Sequence, residues 1–270
     1  MSTIQKHQRI PDRPIRDSGL PGKVRALGVL TATFILLGSC GGGGGSSGTT
    51  DYQPSIAAGN WLIIDLSTGT TTAVLSDPGV GTTTKLVVKR LDSTSFLGVT
   101  EVSKGQWTTI MGTAPWADIT PQILADGASE DPGRPANNIS YVDAQAFIAA
   151  VSSRTHLSVS LPTPAQYEEA VGAGPWPWGS ATDAATVGQY ASVTDTSTTV
   201  GHLVAVGTST PVNGLYDIIG NVREWTTAGT AFGGSSFDTL DSIKATPLVN
   251  TVGTTTEHPL YGLRLACAVQ

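Results

Sequence analysis

The last third of the chain sets the strongest limit on the fold. Residues 175–270 are rich in Gly, Thr and Trp and offer no credible helix, only brief apolar runs between turn residues. Short strands are expected near Tyr190–Val193, Gly233–Phe237 and Gly262–Ala268. The 32 glycines and 16 prolines of the 270-residue chain point the same way, to many turns and short elements. Upstream, "NWLIIDLSTG" and "TTKLVVKRL" alternate or run briefly apolar, which predicts two strands of an antiparallel unit at Trp61–Leu66 and Thr84–Leu91. A third strand is expected at Phe96–Thr100, leading into a short helix with Ser103 as N-cap.

Two segments read clearly as helices. In "ISYVDAQAFIAAVSSRT", Ser140 and Asp143 have capping spacing, and Tyr141, Ala144, Ile148 and Val151 recur at helical intervals. In "LPTPAQYEEAVGAG", Thr163 caps, Pro164 takes the first helical position, Gln166 closes the box and Gly172 ends the helix. The result is a loop-rich, mainly antiparallel α+β domain.

The first fifty residues belong to a different physical class. Lys23 and Arg25 precede "ALGVLTATFILLGSC", an apolar run too short to span a bilayer comfortably and suited to a secretory signal. "LGSC" at Leu37–Cys40 resembles a bacterial lipobox, and "GGGGGSSGTT" after it is a flexible tether. The expected organisation is a lipoprotein signal peptide at 1–39, a tether at 40–51 behind a lipidated Cys40, and one domain at 52–270. That places the domain in a bacterial cell envelope, carried on a membrane by its anchor without spanning it.

With Cys40 lipidated, Cys267 has no partner for an intrachain disulfide. Residues 1–39 hold 6 of the 15 basic and 2 of the 21 acidic residues, leaving 9 basic and 19 acidic beyond them, net −10. A domain so acidic is a poor partner for nucleic acid. His156, His202 and His258 lie far apart without metal-ligand spacing.

Several motifs fall in one order: "GVTEVSKGQW", "RPANNISYVDAQAFIAAV", "LPTPAQYEEAVGAGPWPWGS", "NGLYDIIGNVREWT", "FGGSSF" and "YGLRLA". Together, from about Trp61 to Ala268, they resemble the formylglycine-generating enzyme (sulfatase-modifying factor) family. The resemblance implies the C-type-lectin-like α+β fold, with short mixed antiparallel sheets and two or three short helices. Family members that oxidise a sulfatase cysteine use two cysteines after "GGS" to bind copper, a pairing that soft Cu(I) favours. The corresponding positions here are about Asp238 and Ile243, so copper and the family's oxidation chemistry are not expected.

The resemblance also implies a calcium ion in the "GLYDIIGNVREW" turn, held by Asp217, Gly220, Val222 and Glu224. Two carboxylates and two inward carbonyls suit that hard cation. The competing reading pairs those carboxylates with Arg223, Arg264 or backbone N–H groups. Leu215, Tyr216 and Trp225 read as core, while Arg223, where the family usually has Trp, is expected to face solvent or a partner.

Three functions follow as expectations. The first is a non-catalytic binding or structural module for a protein or glycan ligand. Its loop face would be built from Ser235–Asp238, Lys244–Glu257 and "PWADITPQ", with Ser236, Asp238, Thr239 and Asp241 as candidate ligand-binding residues. The second is a formylglycine-generating-type oxidoreductase with altered chemistry, and the third a scaffold lipoprotein of a secretion or motility complex.

Overall fold

A computed structural model describes residues 59–119, 129–172, 176–196, 202–245 and 253–269. The expected signal peptide, Cys40 and the expected tether lie outside these residues, as do parts of the expected loop face, 120–122 and 246–252.

Three capping boxes start three helices. Ser103 accepts from the Gln106 amide at the head of α1 (Lys104–Met111), Ser140 from Asp143 before α2 (Tyr141–Thr155), and Thr163 from Gln166 before α3 (Pro164–Val171). In each, the third residue's side chain returns a bond to the cap's own N–H, so two otherwise unpaired donors are satisfied per helix. Two further helical turns fall where none was expected, α4 (Ala184–Val187) and α5 (Leu240–Ala245). Both are too short for apolar periodicity to register, and each is set by a local cap. Asp183 accepts from the Thr186 amide, and Thr239 Oγ1 from that of Ser242.

The strands are β1 (Trp61–Asp65), β2 (Thr71–Val74), β3 (Lys85–Arg90), β4 (Ser95–Gly98), β5 (Val159–Ser160), β6 (Arg223–Trp225), β7 (Ala231–Phe232), β8 (Tyr261–Gly262) and β9 (Ala266–Ala268). The first sheet runs β2-β1-β3-β4-β9-β5 and is antiparallel throughout; β1 pairs β3 with Leu62 opposite Val88. The second runs β7-β6-β8, with β6 antiparallel to β7 and parallel to β8.

The expected strand at Tyr190–Val193 reduces to a single bridge from Ser192 to Gly220. The one expected at Gly233–Phe237 is a turn after β7, because Gly233 and Gly234 both take positive φ. The stretch Gly262–Ala268 splits into β8 and β9, which join different sheets.

Period-two burial turns Leu62 and Ile64 into the main core, with Trp61 packing on Val87 and Val99 across the other face. Trp107 of α1 stacks on Phe147 of α2 at 5.2 Å and 5°. Such an offset pair adds roughly 1 kcal/mol beyond the area it buries. A second core gathers Tyr167, Trp178, Ile218, Ile219, Phe232 and Ile243 between α3, the signature turn and α5. The signature turn thus lies between two apolar bodies, with β6 running out of it.

Candidate functional site

The turn Leu215–Trp225 owes its shape to left-handed backbone. Asp217, Gly220 and Asn221 have φ of 53°, 85° and 61°. At Gly220 a Cβ would stand 2.2 Å from the Ser192 carbonyl oxygen, so only glycine fits there. Gly233 is bound in the same way, its missing Cβ lying 2.3 Å from the Tyr167 hydroxyl. The "GN" and "GG" turns are joined directly, the Gly220 amide donating to the Gly233 carbonyl at 2.7 Å.

Inside the turn the polar groups pair with one another. Glu224 on β6 and Arg264 after β8 are both fully buried. Arg264 Nε reaches Glu224 Oε2 at 2.9 Å and Nη2 reaches Oε1 at 2.7 Å. The same guanidinium donates to the Gly98 carbonyl at 2.9 Å and to that of Tyr216 at 2.8 Å. Glu101, also wholly buried, accepts from Asn221 Nδ2 at 2.7 Å and from the Val222 amide at 3.1 Å. Asp217 accepts from the Gly207 amide through Oδ2, and its own N–H donates to Ser209 Oγ at 2.8 Å.

Burial raises the titration of all three carboxylates around this guanidinium. Burial pushes Glu101 well above the usual carboxylate range, and the charges of Asp217 and Glu224 push it further. Burial raises Glu224 too, against the pull of Arg264. Asp217 is raised by burial, opposed chiefly by the Gly207 bond. For Arg264, burial disfavours the charged form, but the Glu224 carboxylate outweighs it and holds the guanidinium protonated.

These residues do not fit a calcium ion as arranged. Calcium needs six to eight oxygens within about 2.6 Å, yet both Glu224 oxygens are spent on Arg264. Among the described residues, no three His, Cys, Asp or Glu side chains are grouped so as to hold a metal. Of the expected ligand set, Asp217 and Glu224 accept hydrogen bonds from protein groups, and Gly220 and Val222 are buried in the turn, their amides bound to the Gly233 carbonyl and to Glu101.

The expected loop face divides. Ser236 is fully buried. Asp238 pairs with Arg223 at 2.6 Å and takes the Ser235 amide and hydroxyl at 2.7 and 2.8 Å, so it builds the turn. Thr239 and Asp241 are exposed at the start of α5, and Phe237, inside the expected Ser235–Asp238 segment, is 41% exposed between them and Ser236. Arg223 does not face open solvent: its side chain is 11% exposed, and it lies over the Tyr261 ring. His258 packs edge-on against that same ring, and its pKa is lowered by burial and then by Arg223. Leu215 and Trp225 are core as expected, while Tyr216 is only half-buried.

The positions where the resemblance implies the family's cysteines, about 238 and 243, carry no thiol. Asp238 is the ion-paired turn residue, and Ile243 is 2% exposed in the second core. Cys267 on β9 is buried, and burial pushes its thiol up to about 11, which makes it a poor nucleophile. Glu101 escaped the sequence reading because its partners lie 120 residues away; its only sequence signal is a carboxylate inside the apolar stretch "GVTEV".

The two sheets, the sparse helices and a signature turn built on buried polar pairs define a loop-rich α+β domain of the formylglycine-generating-enzyme type. Residues 81–266 match the model of the sulfatase-modifying factor enzyme 1-like domain, and the chain belongs to that family. Among solved structures it is similar to variable protein 1 of Treponema denticola, at 21% identity and a TM-score of 0.52, over 64% of this chain and 84% of that one. It is also similar to PvdO from Pseudomonas aeruginosa, at 18% identity and a TM-score of 0.50, over 68% and 81%. At these identities the likeness speaks for the fold. No curated protein sequence matches the chain.

Proposed function

We propose that this chain is an exported, lipid-anchored member of its family that works as a non-catalytic binding or structural module. The observation that carries the reading is that the positions where the resemblance implies copper-binding cysteines, about 238 and 243, hold Asp238, locked to Arg223, and Ile243, packed in the core. A soft-metal oxidation site needs thiolates, and the one thiol of the domain is buried on β9.

Binding would use the edge where α5 begins. Phe237, Thr239 and Asp241 are exposed there, beside the Arg223–Asp238 pair and the Tyr261–His258 contact. An exposed aromatic beside paired charges suits a protein or glycan ligand. A calcium-stabilised turn has no part in this reading, because Glu224 is already committed to Arg264.

Two measurements test it. The purified chain, titrated with Cu(I) against a competing chelator, should show no tight stoichiometric site, whereas a tight one-to-one site would point to the altered oxidoreductase. Cys40→Ala should release the protein from the membrane fraction, and retention there would remove the lipid anchor.

A further inference from the structure

We infer that Arg264 supplies from within the chain the positive charge that holds the signature turn, so that this turn is independent of calcium. The guanidinium ties both arms of the signature turn, through Glu224 and the Tyr216 carbonyl, to the end of β4 through the Gly98 carbonyl. A calcium ion ties distant oxygens together in the same way, by collecting carboxylates and carbonyls around one charge. A planar fork of five N–H donors does so with fixed directions.

The surroundings are built for that side chain. Arg264 is fully buried, and its Cγ would lie 3.1 Å from a Cβ placed on Gly98, so the glycine leaves the room in which its stem lies. Glu224 is bound through both oxygens. The remaining oxygen-bearing side chains are occupied by protein donors, Asp217 by the Gly207 amide and Glu101 by Asn221 and the Val222 amide. Each carboxylate around Arg264 is therefore engaged by a protein donor.

The test uses the full-length chain in detergent, melted in excess EDTA and in millimolar calcium. The wild type should give the same Tm in both. Glu224→Gln and Arg264→Lys should each lower the Tm by several degrees, equally in EDTA and in calcium. A chelator effect that persists in Asp217→Asn and Glu224→Gln arises elsewhere and agrees with a metal-free turn. A wild-type Tm that falls in EDTA, with the fall abolished by Asp217→Asn or Glu224→Gln, overturns the inference. Should Arg264→Lys fail to fold, the wild type and the two carboxylate variants decide it.

Discussion

Arg264 Nη2 stands 2.7 Å from Glu224 Oε1, with side-chain exposures of 0% and 1%. The two residues are 40 positions apart, so their contact joins the signature turn to the chain's final segment. Breaking a buried pair leaves an uncompensated charge and costs about 3–5 kcal/mol. Arg264→Met is therefore expected to lose that much in urea unfolding at pH 7, since it also strips the Gly98 and Tyr216 carbonyls of their donor. A loss below about 1 kcal/mol would show that the pair does not hold the turn.

Gly220 and Gly112 separate two reasons for a glycine. Both have positive φ, 85° and 65°, but nothing lies within 4 Å of a Cβ on Gly112, whereas one on Gly220 meets the Ser192 backbone. Gly112→Ala should cost only the left-handed penalty, about 1 kcal/mol. Gly220→Ala must also push backbone aside, and its loss in thermal unfolding should be at least twice as large.

Asp92 ties the β3–β4 turn by accepting from the Thr94 hydroxyl at 2.7 Å and that of Ser95 at 2.8 Å. The Thr94 side-chain bond leads in holding its pKa below the ordinary 3.8. A lowered carboxylate stabilises the fold above the unfolded pKa, and the gain is lost as pH falls through the folded value. Asp92→Asn should cost about 1 kcal/mol at pH 7. The gap to wild type should close below pH 3.8, as chemical denaturation across pH would record.

Asp238 and Asp241 lie three residues apart with different tasks. Asp238 binds Arg223 and both Ser235 donors, whereas Asp241 is exposed on α5. Asp238→Ala should cost about 2 kcal/mol, from a charged hydrogen bond and the lost turn. Asp241→Ala should stay within about 0.5 kcal/mol. Equal effects in urea unfolding would contradict the structural role given to Asp238.

What the sequence revealed was governed by distance along the chain. The caps at Ser103, Ser140 and Thr163 were legible because each acts on the residue three positions later. The pairing of β1 with β3 followed from two alternating runs. The α4 and α5 turns carried only a cap and no periodicity, so they were missed. In the signature turn the residue types were plain, but their partners were not: Glu224 could face calcium or Arg264, and only packing decided. Glu101 was hidden altogether, because its role exists only once Asn221 is folded against it.

The central claim is that this family member keeps the fold without the family's oxidation chemistry. Its most direct test incubates the purified chain with a Cys-x-Pro-x-Arg peptide, copper and oxygen, and follows the peptide by mass spectrometry. The expected result is a peptide whose cysteine is never converted to the aldehyde. Conversion above a protein-free control, in proportion to added protein, would contradict the account.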